Sequence, residues 1–306
     1  YMMEDKPLVS IIVNCYNGAA FVNNAIQAVL FQTYQNWELI FWDNCSTDDS
    51  AKKIALFKDA RIKYFHSEVN TSLGEARNLA ISKAKGVYFS FLDIDDTWEP
   101  VFLERMIAVF ALDAGLGLVY CRYNCVVKDK NRSYLSQGSS GNHEVAISEL
   151  LKMYNIGISA VMVKKEVIEL NRIRFCKEFS LIEDYDFFIR IASFSTVFYL
   201  AEPLANYLIH DTNLSKSSKW AEEFRILMKK ISDGGVTYEY LQQYVVFIDH
   251  LSQRYEVTCM LKQGRRCDAL RFVLKHAWRN PILLSYLVHI LLGEQITNVT
   301  RAVIHN

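Results

Sequence analysis

Along the first 127 residues, short apolar runs alternate with stretches whose apolar positions recur at helical spacing. Residues 8–13 form a short apolar run, as expected of a strand buried on both faces. Gly18 then opens an amphipathic stretch to about residue 32. A strand follows at 37–42, then a helix capped by Ser46 or Thr47 and running to about 58. The next strand is at 61–65, and the helix at 73–85 is stopped by Gly86. A strand at 87–92, a helix at 101–113 with Pro100 at its first turn, and a strand at 116–127 complete the series. Alternation at this spacing predicts right-handed crossovers and an α/β fold with a mostly parallel, doubly wound sheet.

Beyond residue 127 the texture changes twice. Residues 128–142 are polar and rich in Gly and Ser, which predicts a loop or mobile lid. Residues 144–208 return to mixed α and β. From Lys219 only helical patterns follow, at 219–231, 236–254, 265–278 and 282–292. The expected organisation is an α/β domain over 1–217 and an all-helical C-terminal region over 218–306, a division that suits a chain of 306 residues.

Composition narrows the classes. Lys plus Arg and Asp plus Glu each total 34, so the formal net charge is zero and no nucleic-acid partner is expected. The seven cysteines are odd in number and lack CxxC spacing, which predicts reduced thiols and a cytoplasmic setting. Met2-Met3-Glu4-Asp5 is acidic where a secretory leader would be basic. The uncharged run 280–293 is 14 residues long, short of the roughly 18 that cross a bilayer.

Ligands of an open parallel sheet bind beyond the carboxyl ends of its strands. Here the first strand ends in Asn14-Cys15-Tyr16-Asn17-Gly18, the second in Asp43-Asn44-Cys45-Ser46 and the fourth in Asp93-Ile94-Asp95-Asp96, all on one edge. Gly18 stands alone, so the dinucleotide fingerprint is missing, and no phosphate-cradling GxxxxGK[ST] loop occurs. Carboxylates repel phosphate but hold Mg²⁺ or Mn²⁺, which bridges to it. An acidic strand end after a buried apolar run therefore points to metal-assisted phosphate chemistry.

The segments Val9-Ser10-Ile11-Ile12-Val13-Asn14-Cys15-Tyr16-Asn17 and Asp43-Asn44-Cys45-Ser46-Thr47-Asp48-Asp49-Ser50 resemble the opening of family-2 glycosyltransferases with the GT-A fold. So does Asn70…Gly74…Ala76-Arg77-Asn78…Gly86 leading into Phe91-Leu92-Asp93-Ile94-Asp95-Asp96. The resemblance spans residues 7–215, with one departure: the usual paired acids after the second strand are Asp43-Asn44. It implies an inverting, metal-dependent transfer from a UDP- or dTDP-sugar to a hydroxyl of a glycan or lipid-linked glycan, in bacterial surface-polysaccharide assembly. Asp43 would accept from the imide N–H of the base, Cys15 and Tyr16 would flank it, and Asn17, Arg77 and Ile94 would lie against the donor. Asp93 and Asp95 would form the DxD, with Asp95 the direct ligand of Mn²⁺ or Mg²⁺ and Asp96 facing the sugar.

Two later segments extend the resemblance. Glu183-Asp184-Tyr185-Asp186 looks like the acidic motif at a helix start whose carboxylate deprotonates the acceptor, with Asp184 chosen as base and Glu183 second. Tyr207-Leu208-Ile209-His210-Asp211-Thr212-Asn213-Leu214-Ser215 looks like the segment whose histidine reaches the metal or diphosphate. Trp98 and Trp220 are candidates to stack on sugar rings. The tail's Lys262, Arg265, Arg266, Arg271, Lys275 and Arg279, beside the apolar residues 282–292, fit either a peripheral contact with an anionic membrane or helix packing, including packing on a second subunit. Two rival functions stay open. Asp93-x-Asp95-x-Thr97 is also the pattern of haloacid-dehalogenase-like phosphatases, with Asp93 as nucleophile, and a non-catalytic nucleotide-sugar-binding module would need the metal site alone.

Overall fold

The computed structural model describes residues 6–128, 132–138, 141–152, 154–210, 220–235, 237–287 and 290. Met2–Asp5, the segment from Asp211 to Lys219 and the apolar residues Leu291 and Leu292 lie outside them. The chain divides into two compact units, residues 1–146 with 156–213, and residues 147–155 with 214–306.

In the first unit the expected alternation is present: β1 (Val9–Cys15), α1 (Val22–Leu30), β2 (Trp37–Asp43), α2 (Ser50–Ile54), β3 (Ile62–His66), α3 (Leu73–Ile81) and β4 (Tyr88–Phe91). Then come β5 (Thr97–Trp98), α4 (Phe102–Phe110), β6 (Leu116–Val127), β7 (Arg132–Leu135) and β8 (His143–Val145). The second unit takes α5 (Ile147–Lys152). Back in the first unit are β9 (Val161–Lys164), α6 (Lys165–Leu170), α7 (Glu183–Ala192) and β10 (Thr196–Ile209).

The sheet is mixed, in the order β3-β2-β1-β4-β9-β6-β10-β5. Its first four strands are parallel, as the crossovers predict. The strand after β4 in space is β9, which enters antiparallel and separates β4 from β6. Nothing local to β6 announces that insertion, because β9 begins 34 residues after β6 ends, Val127 to Val161. Apolar side chains of β1, β2 and β4 are buried on both faces, and one cluster packs them against α1 and α4. Residues 128–142, expected to form a loop or lid, include β7, which pairs with β6, and β8 just beyond them pairs with β10.

Among the helix boundaries that differ from expectation, the helix expected at 236–254 runs Val245–Lys262 behind a 3₁₀ turn, and two others have a visible cause. α2 starts only at Ser50, because Ser46 and Thr47 are occupied elsewhere: Ser46 Oγ accepts from Asn17 N–H at 2.9 Å, and Thr47 N–H donates to Asn17 Oδ1 at 2.8 Å. α3 ends at Ile81, so Gly86 is no helix terminus. It passes beside β1, where a Cβ would stand 2.5 Å from Ser10 N and 2.7 Å from Leu8 O.

In the second unit, α8 (Trp220–Asp233) and α9 (Val245–Lys262) are joined through a 3₁₀ turn at Glu239–Tyr244, and a second such turn at Pro281–Tyr286 follows α10 (Arg266–His276). Leu261, Val273, Leu283 and Tyr286 fill a small helical core, and Trp220 stacks on Tyr255 at 5.4 Å. No helix among the described residues is long and apolar enough to cross a membrane.

Gly86→Ala is expected to destabilise the first unit by about 1–3 kcal/mol, the usual cost of forcing an atom into packed backbone. The measurement is a urea unfolding midpoint beside that of the wild type, and an unchanged midpoint would contradict the close approach.

Candidate active site

The carboxyl ends of β1, β2 and β4 open on one edge, and each is tied down differently. At β1, Asn17 adopts a left-handed conformation (φ 51°) and its side chain holds the loop after β2. Gly18 packs so closely that a Cβ would lie 3.0 Å from Cys15 Sγ and 3.1 Å from Ile94 Cγ2. Cys15 is buried beneath this loop, its thiol donating to Ser50 Oγ at 3.4 Å, and burial pushes its pKa up. Tyr16 lies on top, 56% exposed. The two expected base-flanking residues therefore occupy different depths.

Asp43 is fully buried at the end of β2. Its Oδ1 accepts from Ser46 N–H at 2.8 Å, and its Oδ2 accepts from the Tyr64 hydroxyl at 2.8 Å with His66 Nδ1 at 3.4 Å. Burial alone would raise its pKa, but these donors outweigh burial and hold it below the ordinary carboxylate value.

The acidic turn after β4 converges: ligand atoms of Asp93, Asp95 and Asp96 all lie within 4.8 Å of one another. Asp96 points inward, accepting from Ser159 Oγ at 2.6 Å and from Leu208 N–H at 2.9 Å. Ser159 Oγ also accepts from Asp93 N–H at 3.0 Å, so one hydroxyl fixes both ends of the turn. Asp95 meets His210 Nε2 at 2.7 Å from the end of β10, and His210 stacks on Phe21 at 5.3 Å. Burial, then repulsion from its acidic neighbours, raises the pKa of both Asp95 and Asp96. Asp93 and Asp95 keep partial exposure. Crowded, mutually repelling carboxylates with oxygens at the surface fit a hard divalent cation, with His210 beside it.

The second acidic motif begins α7. Four phenylalanines seat it under the site: Phe175 stacks on Phe187 at 3.8 Å, and Phe91 of β4 meets Phe175, Phe187 and Phe188 edge-on. Arg77, on α3, is 2% exposed. Its Nη1 donates to Glu183 Oε1 at 2.7 Å and its Nη2 to Asp93 Oδ1 at 2.9 Å. Arg77 therefore joins the two acidic groups the sequence keeps 90 residues apart. Its guanidinium is occupied by protein carboxylates, where the sequence suggested approach to a ligand. Glu183 is buried, and burial raises its pKa against the pull of Arg77. Asp184, next to it, keeps part of its surface. Burial, then repulsion from Glu183, pushes its carboxyl up to about 7.

Several participants carry no sequence signal. Ser159 sits in a 3₁₀ turn with no motif around it. Tyr123 lies on β6 close enough to Asp96 and Asp184 for their charges to help raise its pKa, behind the larger effect of burial. Tyr64 and His66 reach Asp43 only through the register of β2 with β3. Conversely, Trp98 is core: it is 4% exposed, stacks on Phe102 at 4.2 Å and donates to Ser159 O.

Comparison with known proteins gives consistent matches. The model of the family "Glycosyl transferase family 2" matches residues 10–170. Escherichia coli WfgD, described as a UDP-Glc:alpha-D-GlcNAc-diphosphoundecaprenol beta-1,3-glucosyltransferase, is 30% identical over 74% of this chain and 85% of its own. Bacillus subtilis TuaG, a putative teichuronic acid biosynthesis glycosyltransferase, is 28% identical over 72% of this chain and 85% of its own. Among solved structures, residues 1–349 of Staphylococcus aureus TarS in complex with UDP-GlcNAc superpose with a TM-score of 0.63. That match is 17% identical and covers 82% of this chain and 79% of TarS, which shows a shared GT-A fold.

Ser159→Ala removes a buried donor to Asp96 and an acceptor for Asp93 N–H. It is expected to lower stability by about 1–3 kcal/mol, read as a fall in thermal midpoint. An unchanged midpoint would mean that the acidic turn holds itself.

Proposed function

Because the chain belongs to glycosyl transferase family 2, and is a glycosyltransferase, we propose that it moves a sugar from a UDP-sugar, or a dTDP-sugar, to an acceptor hydroxyl with inversion at the anomeric carbon. The observation that carries this is the joining of the Asp93/Asp95/Asp96 turn to the Glu183-Asp184 motif through one buried arginine. A single displacement needs leaving-group stabilisation on one side of the sugar and a base on the other, and this edge supplies both kinds of group.

Asp184 is the base. It takes the acceptor's proton as the new C–O bond forms and the bond to the diphosphate breaks, releasing the nucleotide diphosphate. Its raised pKa suits a carboxylate that must accept a proton near neutrality. Glu183, tied to Arg77 and buried, is the weaker candidate. Asp95 and Asp93, with His210 alongside, would hold Mn²⁺ or Mg²⁺, which when bound neutralises charge on the departing diphosphate. Tyr16 offers an exposed ring to the base, and Asp43 at the end of β2 is the acceptor proposed for its imide N–H. Asn17 and Ile94 shape the loop against which the donor lies, and Asp96 braces the metal-bearing turn from within. UDP is favoured because the names of WfgD and the TarS complex carry it, and the former's diphosphoundecaprenol acceptor supports a lipid-linked glycan in surface-polysaccharide synthesis. A cytoplasmic location follows from the same acceptor class and accords with seven free cysteines.

The helical unit supports peripheral contact with a membrane. Leu274, Trp278, Ile282 and Leu284 are exposed, and Arg271, Lys275 and Arg279 lie among them in sequence. Much of the apolar stretch from Ile282 is not available for this, since Leu283, Tyr286 and Ile290 are buried in the helical core.

Incubation with UDP-sugars, Mn²⁺ and a lipid-linked acceptor is expected to release UDP. The rate should fall about tenfold per pH unit below an acid limb near 7, where Asp184 takes up its proton. Asp184→Asn should keep UDP binding and lose transfer, and transfer at the wild-type rate would remove Asp184 as base. Between 3.8 and about 7 the folded chain binds the Asp184 proton that the unfolded chain releases. Wild-type stability therefore falls as pH rises through that window, and the asparagine variant should lack this part of the slope.

Vesicles containing phosphatidylglycerol should co-sediment the intact chain at low salt and release it at high salt, with a blue shift in tryptophan emission. No co-sedimentation would leave packing of the tail, on itself or on a second copy, as its role.

A further inference from the structure

α3 presents three residues to one neighbour. Gly74, Arg77 and Asn78 are spaced i, i+3 and i+4, so they share a helical face. A Cβ on Gly74 would sit 3.1 Å from Cys176 O and 3.3 Å from Phe175 Cβ, so the helix and the segment entering α7 touch almost backbone to backbone. Asn78 grips the same segment from both sides: its Nδ2 donates to Phe175 O at 2.9 Å, and its Oδ1 accepts from Phe175 N–H at 2.9 Å. The Arg77 guanidinium stands 5.4 Å from the Phe175 ring and ends on Glu183 and Asp93.

We infer that Arg77 is a positioning residue, whose one buried guanidinium sets the edge carrying Asp93 against the helix carrying Glu183 and Asp184. This rests on the assignment of Asp184 as base and of the β4 turn as the metal-bearing edge. The two acidic groups belong to different elements, and each repels the other. Without a cation between them they would separate or take up protons, and the base would lose its distance from the reacting carbon. Lysine cannot replace arginine here, because one ammonium cannot present two planar N–H groups to two carboxylates. Glu183 thereby gains a role of its own: its Oε1 is the anchor that Arg77 holds, and the adjacent Asp184 is free for the acceptor.

The test compares Arg77→Lys, Arg77→Met, Glu183→Gln and the Arg77→Met/Glu183→Gln pair, by kinetics and by urea unfolding. Arg77→Lys is expected to lower kcat about 10- to 100-fold, the range for a small misplacement of reacting groups. Its donor KM should stay within about threefold of wild type, since interactions made only in the transition state would be lost. In unfolding, the double variant should be more stable than Arg77→Met alone, because removing Glu183's charge relieves the carboxylate left bare. If Arg77→Met does not fold, Arg77→Lys and Glu183→Gln carry the kinetic arm.

Three results would overturn the assignment. A donor KM raised roughly tenfold at unchanged kcat would make Arg77 a nucleotide ligand. A lowered unfolding midpoint with unchanged kcat would make it merely structural. Independent, additive effects of the Arg77 and Glu183 changes would mean there is no shared strut. Absence of transfer by the wild-type chain with every sugar nucleotide is a different outcome, and it would overturn the function itself.

Discussion

A buried positive charge among carboxylates is the constraint from which the rest of this site follows. Asp93, Asp95, Asp96, Glu183 and Asp184 crowd one edge of the sheet, and burial makes the charges of Asp95, Asp96, Glu183 and Asp184 costly. The Arg77 guanidinium offsets part of that cost and does so directionally, one nitrogen to each group. A point charge would lower the energy without fixing a distance. The planar fork does both, and the distance it fixes is the one between the turn carrying Asp93 and the start of the helix carrying Glu183.

The remaining polar partners divide the acids by task. Asp96 is satisfied from within by Ser159 and by the backbone of β10, so it stabilises the turn and has little left for a ligand. Asp95 faces His210, and Asp93 keeps exposure while touching Arg77. Asp184 accepts from the adjacent Tyr185 N–H, and burial, then repulsion from Glu183, outweighs the pull of Arg77 and raises its pKa. Chemically similar side chains thus differ in exposure, pairing and charge state through their surroundings alone.

The fold makes such an arrangement possible by bringing remote segments to one edge. The parallel half of the sheet delivers the loops after β1, β2 and β4. β9 lies antiparallel beside β4, and the turn just before β9 carries Ser159 to the acidic turn. β10, parallel to β6, ends at His210. The phenylalanine cluster packs under α7, and close packing of this kind resists small displacements.

Much of this was legible in the chain itself. Strand and helix periodicity depends on local backbone geometry, so the alternation and the parallel half of the sheet could be read directly. The polar strand ends at Asn14–Asn17, Asp43 and Asp93–Asp96 shared an edge by topology, and Glu183-Asp184 stood out at a helix start. What the sequence left undetermined depends on contacts between distant segments. Gly86 looked like a helix stop until β1 was found within 2.5 Å of its would-be Cβ. Nothing near Arg77 in the chain announced the two carboxylates, 16 and 106 residues away, that meet its guanidinium. Ser159 had no local mark at all. The sequence by itself determined which acids were present and which strand ends carried them. Only the tertiary structure decided which of them is braced, which is paired and which is pushed up in pKa, because a carboxylate's charge state is set by all the atoms packed around it.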